Sequence, residues 1–275
     1  MQTEKVVQIT PLVKRITAGN SSVFTGPGTN TYVVGNREDL TVVDPGPALL
    51  EHIQTIVSSF SNLSRIVVTH THPDHSPGVS LLQAKVNIPA YGLITETTEN
   101  QDASFKPAKM LTHGEVIKAK DHTLEIIHTP GHASNHLCYL LREEKLLFTG
   151  DHIMNGSTVV ISPPDGNMQD YLDSLKKLKD YDLDNIAPGH GELLSNPHSV
   201  ADWIIQHRLE REEKVIEAIK KAKRGNPDSL VEAVYDDVDA SLFPIAKWSL
   251  EAHLIKLEND NRVHKEGNKF IWKES

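Results

Sequence analysis

The stretch Thr69-His70-Thr71-His72-Pro73-Asp74-His75 follows directly on the apolar run Ile66-Val67-Val68. Three imidazoles and a carboxylate thus fall within one short loop, at the end of what reads as a buried strand. Imidazole nitrogens and carboxylate oxygens are the donors that zinc and related divalent transition metals favour. Solvated loops do contain histidine, and a lone histidine is more often structural than ligating. Three with an aspartate in one loop read as a metal site.

Working outward, the same design recurs. Thr129-Pro130-Gly131-His132, Thr149-Gly150-Asp151 and Ala187-Pro188-Gly189-His190 each set a ligand-type side chain just after an apolar strand. Glycine beside each ligand permits a tight turn that aims it inward. A Gly-His turn alone is common; this series, in this order, is specific.

Short β-like segments bounded by turn signals predict strands at residues 31–34 and 40–43, the second ending at Asp44-Pro45-Gly46. A helix is predicted over about 49–60, with Leu50, Ile53, Ile56 and Val57 on its apolar face. After the strand at 65–68, further strands are predicted at 115–118, 124–128, 136–141 and 145–148. A helix at 169–178 and a strand at 185–187 follow. Two strand groups interleaved with helices suggest a layered α/β/β/α arrangement. Composition shifts near Ser195. A long charged helix over 198–223 is stopped by Gly225-Asn226-Pro227. Helices at 228–235 and 243–258 and a hairpin over 262–272, turning at Gly267-Asn268, complete the chain. The predicted organisation is an α/β domain over residues 1–195 and a helical, winged-helix-like unit over 196–275; a packing appendage is the plainer alternative for the second.

The chain has 275 residues, 38% hydrophobic and 24% charged, which suits an ordered globular protein. No apolar stretch is long enough to span a bilayer. A single cysteine, Cys138, excludes an internal disulfide, and the N-terminus lacks the basic-then-apolar order of a secretory signal. Both point to a cytoplasmic protein. The net charge of −9 argues against a polyanionic substrate, although bound cations would reverse the field locally.

The motif series resembles the metallo-β-lactamase superfamily across residues 20–195. Gly28-Thr29-Asn30-Thr31-Tyr32, the His207-Arg208 pair and the terminal helix-plus-hairpin unit are similar to the β-lactamase-like protein 2 group within it. The resemblance implies an αββα sandwich holding two metal ions, zinc by default, with manganese or iron as alternatives. It implies that His70, His72 and His132 hold the first metal, that Asp74, His75 and His190 hold the second, and that Asp151 bridges them. Asp44 would support the metal loop without ligating. Asp74 and Asp151 are the implied catalytic carboxylates, and no other cofactor is expected.

Other residues take plainer readings. His128 and His136 flank a ligand but lie on predicted strands, and read as structural or as supports for a ligand. His152 should point away from the site if its segment is extended. Cys138 reads as a small buried hydrophobe. Ser157 and Thr158, just past the bridging aspartate, are candidates for the substrate wall. His207 and Arg208 are candidates for a substrate pocket, or else a solvated helix pair.

The expected chemistry is hydrolysis by a metal-bridging hydroxide, acting on a thioester, ester or lactone. The alternative is cleavage of single-stranded RNA of the β-lactamase-like protein 2 type, which a winged-helix tail would suit. A β-lactamase is less expected, since β-lactamases of this fold lack a bridging aspartate at the position of Asp151. A non-catalytic nucleic-acid-binding regulator is also less expected, since the implied ligand set is complete. The sequence does not indicate the oligomeric state.

Overall fold

The computed structural model describes residues 2–96 and 100–274, which group into two compact units. The first contains residues 1–129, 135–159 and 181–198; the second contains 130–134, 160–180 and 199–275.

Two sheets form the first unit. Strands β1 (Val7–Gln8), β2 (Val13–Thr17), β3 (Asn30–Val34), β4 (Leu40–Val43), β5 (Leu63–Val67), β6 (Ala90–Gly92) and β7 (Lys109–Met110) lie side by side in chain order. The first three pairings are antiparallel and the remaining three parallel. The second sheet contains β8 (Val116–Lys118), β9 (Thr123–His128), β10 (Leu137–Leu141), β11 (Leu146–Gly150), β12 (Asn185–Pro188) and β13 (Leu194–Ser195), also in sequential order. Here only β11 and β12 run parallel.

Every residue of β3, β4, β10 and β11 is buried, so these strands read as apolar runs rather than as alternating ones. Their inner faces interdigitate in one core, where Tyr32, Val34, Val43 and Val67 meet Ile126, Leu137, Tyr139 and Phe148. The outer face of the first sheet packs on α1 (Leu50–Ser59) and α2 (Gly78–Gln83) through Ile53, Ile56, Val79 and Leu82. Leu50 departs from its predicted place in this core. It is 70% exposed, because the buried stripe of α1 is rotated toward His52. His52 is held inside by Glu4 on one ring nitrogen and Thr31 on the other. Strands β1, β2, β6, β7 and β13, and α2 with its single turn and a half, carry too little periodicity to have been predicted.

The second unit contains α3 (Met168–Lys177), most of α4 (Pro197–Ala222), α5 (Pro227–Val234) and α6 (Phe243–Asn259). Asn226 caps α5 in a reciprocal capping box with Ser229, which accounts for the break after α4. The expected hairpin is present as β15 (Val263–Glu266) and β16 (Lys269–Trp272), and β14 (Arg224–Gly225) adds a third strand. Val215, Ile219, Leu230, Val234, Leu250, Leu254 and Phe270 form its core. Among the described residues, no helix is long and apolar enough to cross a membrane.

Candidate metal centre

Because β4 and β5 run parallel, as do β11 and β12, the loops that leave their C-terminal ends share a rim. Asp44 leaves β4, the histidine loop leaves β5, Asp151 follows β11 and His190 follows β12. His70, His75 and Asp151 place ligand atoms within 4.8 Å of one another, and so do Asp74, His75 and His190. The rings of His70 and His72 lie 4.5 Å apart, centroid to centroid.

Asp44 organises the loop. Its carboxylate accepts the Thr69 backbone N–H at 2.7 Å, the Thr69 hydroxyl at 2.7 Å and the His75 Nδ1–H at 2.9 Å. With its hydroxyl proton committed to Asp44, Thr69 accepts from His70 Nδ1 at 3.0 Å. His190 directs Nδ1 to the Gly28 carbonyl at 3.2 Å. His132, in the loop that groups with the second unit, directs Nδ1 to the Val160 carbonyl at 2.7 Å. In each of these four histidines an acceptor fixes the proton on Nδ1, so the neutral ring presents Nε2 as the metal-binding lone pair.

The Nε2 atoms converge on carboxylates. His75 Nε2 lies 3.3 Å from Asp151 and 3.4 Å from Asp74; His190 Nε2 lies 3.2 and 3.3 Å from the same two. Among the described residues, no hydrogen bond reaches the buried His75 Nε2. Close packing of imidazole lone pairs and carboxylates around such an atom fits divalent cations, which satisfy both kinds of donor at once.

The electrostatics carry the same signature. Burial works against a charged His190, but Asp151 and Asp74 outweigh it and raise the imidazole to about 10. Burial would raise Asp74, yet His75 and His190 bring it down to about 2. Burial likewise opposes charge on His75 and Asp151; Asp74 and Asp151 raise the first well above, and His190 and His75 lower the second well below, the ordinary range. His70 is driven well below the usual imidazole range by burial and by its histidine neighbours.

Two glycines permit this density. A Cβ on Gly189 would stand 2.7 Å from Asp151 Oδ1 and 2.8 Å from His75 Cε1. Gly150 has a φ of +45°, and a Cβ there would meet the Thr69 hydroxyl at 2.5 Å.

Several supports were not evident in the sequence. Thr29 donates to Asp74 Oδ2 at 2.8 Å. Asn30 donates to the carbonyls of Pro188 and Gly191, and Tyr32 also donates to Pro188, so β3 holds the loop bearing His190. These residues belong to the Gly28–Tyr32 segment noted from resemblance, but their partners lie up to 161 positions away. His136 connects Thr129 to the backbone of Asp151. Its Nδ1 faces Thr129 and its Nε2 accepts the Asp151 backbone N–H at 3.2 Å. Cys138 is buried, with Sγ 3.2 Å from the Thr129 hydroxyl.

The segment after Gly150 is a turn closed by His152 N–H to the Thr149 carbonyl, so the extended geometry on which the reading of His152 depended is not met. The His152 ring is fully buried, 6.0 Å from that of His136. Ser157 is exposed and Thr158 half-buried, in a loop whose Asn155 donates its backbone N–H to the His190 carbonyl at 3.3 Å. In the second unit, His207 stacks on Trp203, and the buried Arg208 lies over the Tyr171 ring at 5.5 Å.

Comparison with known proteins agrees with this geometry. Residues 24–190 match the family model described as Metallo-beta-lactamase superfamily, and residues 227–272 match Beta-lactamase associated winged helix domain. A Beta-lactamase-like protein 2 homolog from Caenorhabditis elegans is 31% identical, over 94% of this chain and 88% of its own. An Atrochrysone carboxyl ACP thioesterase from Aspergillus chevalieri is also 31% identical, over 94% of this chain and 84% of its own. The crystal structure of a Beta-lactamase domain protein from Burkholderia ambifaria shares the fold, with a TM-score of 0.85 over 99% of this chain and 94% of that one, at 17% identity. The chain belongs to the metallo-beta-lactamase superfamily.

Proposed function

We propose that the protein is a dinuclear metal-dependent hydrolase of a thioester, ester or lactone. The carrying observation is the set of four histidines with anchored Nδ1, of which His75 and His190 direct Nε2 to Asp74 and Asp151. In this reading His70, His72 and His132 hold one cation, Asp74, His75 and His190 hold a second, and Asp151 bridges them. Zinc suits the donors, as do manganese and iron. Bound there, the cations would supply a hydroxide at neutral pH and polarise the scissile carbonyl.

The chain's own residues supply the rest. Asp74, with 24% of its side chain exposed, is the more open of the two carboxylates and is placed to accept or return a proton. Asp44 and Thr69 keep the ligating rings in one tautomer. Ser157 and Thr158 are proposed as substrate wall, supported by the link from Asn155 to His190. His207 and Arg208 are proposed to recognise substrate. The same reading takes residues 1–195 as the hydrolase domain and 196–275 as the appended winged helix. A reducing cytoplasmic setting is proposed from the single, buried cysteine.

A thioester is favoured among carbonyl substrates because the Aspergillus chevalieri relative is named a thioesterase. Cleavage of single-stranded RNA stands second, supported by the winged-helix match. The test is a parallel rate survey over a thioester, a lactone, a β-lactam and a fluorogenic RNA, with metal content measured on each preparation. We expect carbonyl turnover that a chelator abolishes, and in Asp151→Ala loss of both metal and turnover. An unaltered rate in that variant would remove the bridging role, and RNA cleavage without carbonyl turnover would overturn the substrate class.

A further inference from the structure

We propose that a cleft in the winged-helix unit, bounded by Lys220, Arg262, Lys273 and Trp272, binds an organic phosphate of nucleotide type. The proposal is independent of the hydrolase reading, since none of these residues belongs to the metal cluster.

The cleft is open to solvent, has a volume of about 400 Å³ and is completed by Asn261 and Glu274. Its shape is set by backbone. Val263 pairs with Trp272 across β15 and β16, the Trp272 N–H donates to the Lys223 carbonyl at 2.9 Å, and the Lys273 N–H donates to the Arg262 carbonyl at 3.0 Å. The last turn of α4 delivers Lys220 to the same place. Lys220 Nζ lies 5.0 Å, and Arg262 Cζ 5.3 Å, from the centroid of the Trp272 indole.

Charge is the telling feature. Glu274, the one carboxylate in the lining, is 2.6 Å from Lys223 Nζ, which lies outside it. Lys273 Nζ reaches the neutral Asn261 at 3.4 Å. Among the described residues, no ion pair is made by Lys220, Arg262 or Lys273. In a chain with nine more acidic than basic residues, three cations line one cleft whose single carboxylate is paired with a fourth, Lys223. Two of them share one ring and repel each other, a cost that cation–π contact offsets only in part.

An anion with several acceptor oxygens relieves that repulsion. A phosphate can accept from the Arg262 fork and both ammonium groups together. The volume is that of a small-ligand pocket rather than of a flat protein interface. As a cation turns from the half-buried indole to the phosphate, a planar ring carried by the same ligand would take its place over Trp272.

The full chain should be titrated with AMP, inorganic phosphate and adenosine while tryptophan emission is followed, with Trp272→Phe identifying the responding residue. AMP should produce a saturable change that is absent in Trp272→Phe. It should bind more tightly than phosphate, and about tenfold more weakly to Lys220→Ala and Arg262→Ala. Added chloride should weaken binding by screening. The absence of a saturable change, an equal response to adenosine, equal affinity for phosphate and AMP, or AMP affinity unchanged in both alanine variants would each overturn the assignment. Circular dichroism of the variants separates lost binding from lost fold.

Discussion

At the scale of single residues, Asp44 is the side chain on which the metal loop turns. It lies outside the proposed ligand set, yet it takes three protons from Thr69 and His75 and so fixes two rings at once. Its backbone is left-handed, with φ of +48°, and its carbonyl accepts the Thr31 hydroxyl at 2.6 Å. In Asp44→Asn the amide nitrogen would face at least one of those donors. We expect metal affinity to fall by about 10–100-fold, the usual cost of losing an outer hydrogen bond to a ligating histidine. Competition with a chromogenic chelator measures this, and unchanged affinity would make Asp44 merely a turn residue. The histidine motif was readable because donor chemistry is a property of residue type. The anchoring of Nδ1 was not, because Gly28, Thr69 and Val160 reveal nothing of their partners until the chain is folded.

At the scale of elements, Arg211 and Lys214 of α4 form ion pairs with Asp236 and Asp237 after α5, and the pH dependence of the Arg211–Asp237 pair can be worked out. Arg211 forms a two-point contact with Asp237, at 2.8 and 3.1 Å, and lies 4.4 Å over the Tyr235 ring. Hydrogen bonds from Arg211 lower the Asp237 carboxyl to about 2. The folded value lies below the unfolded one of about 3.9, so the pair contributes stability that is complete above that pH. The contribution is lost as pH falls through the folded value. Half of the Asp237 side chain is exposed, so screening holds the effect under about 1 kcal/mol. Denaturant unfolding should show the wild type losing its advantage over Asp237→Asn between about pH 4 and 2. Parallel curves for the two proteins would dismiss the pair as a contributor. Helices were the most legible elements, since α3, α4, α5 and α6 fall within a residue or two of their predicted bounds. The face of α1 was misjudged at Leu50 because hydropathy alone does not register the pull of Glu4 and Thr31 on His52.

At the scale of the whole molecule, a metal that binds only the folded chain must stabilise it by mass action. At a free concentration 100 times its dissociation constant the gain is about 2.7 kcal/mol. Removing divalent ions with EDTA should therefore lower the thermal midpoint, and restoring zinc or manganese should raise it again. A midpoint indifferent to both would mean that the folded state gains nothing from metal. The sequence by itself determined the donor types, their order along the chain and the layered α/β class, because strand runs, glycine turns and ligand chemistry are local properties. Only the tertiary structure decided which carboxylate lies beside which imidazole, that a turn carries His152, and that three cations line the cleft at Trp272. Those depend on parallel strand ends and cross-strand pairing, which join residues far apart in the chain.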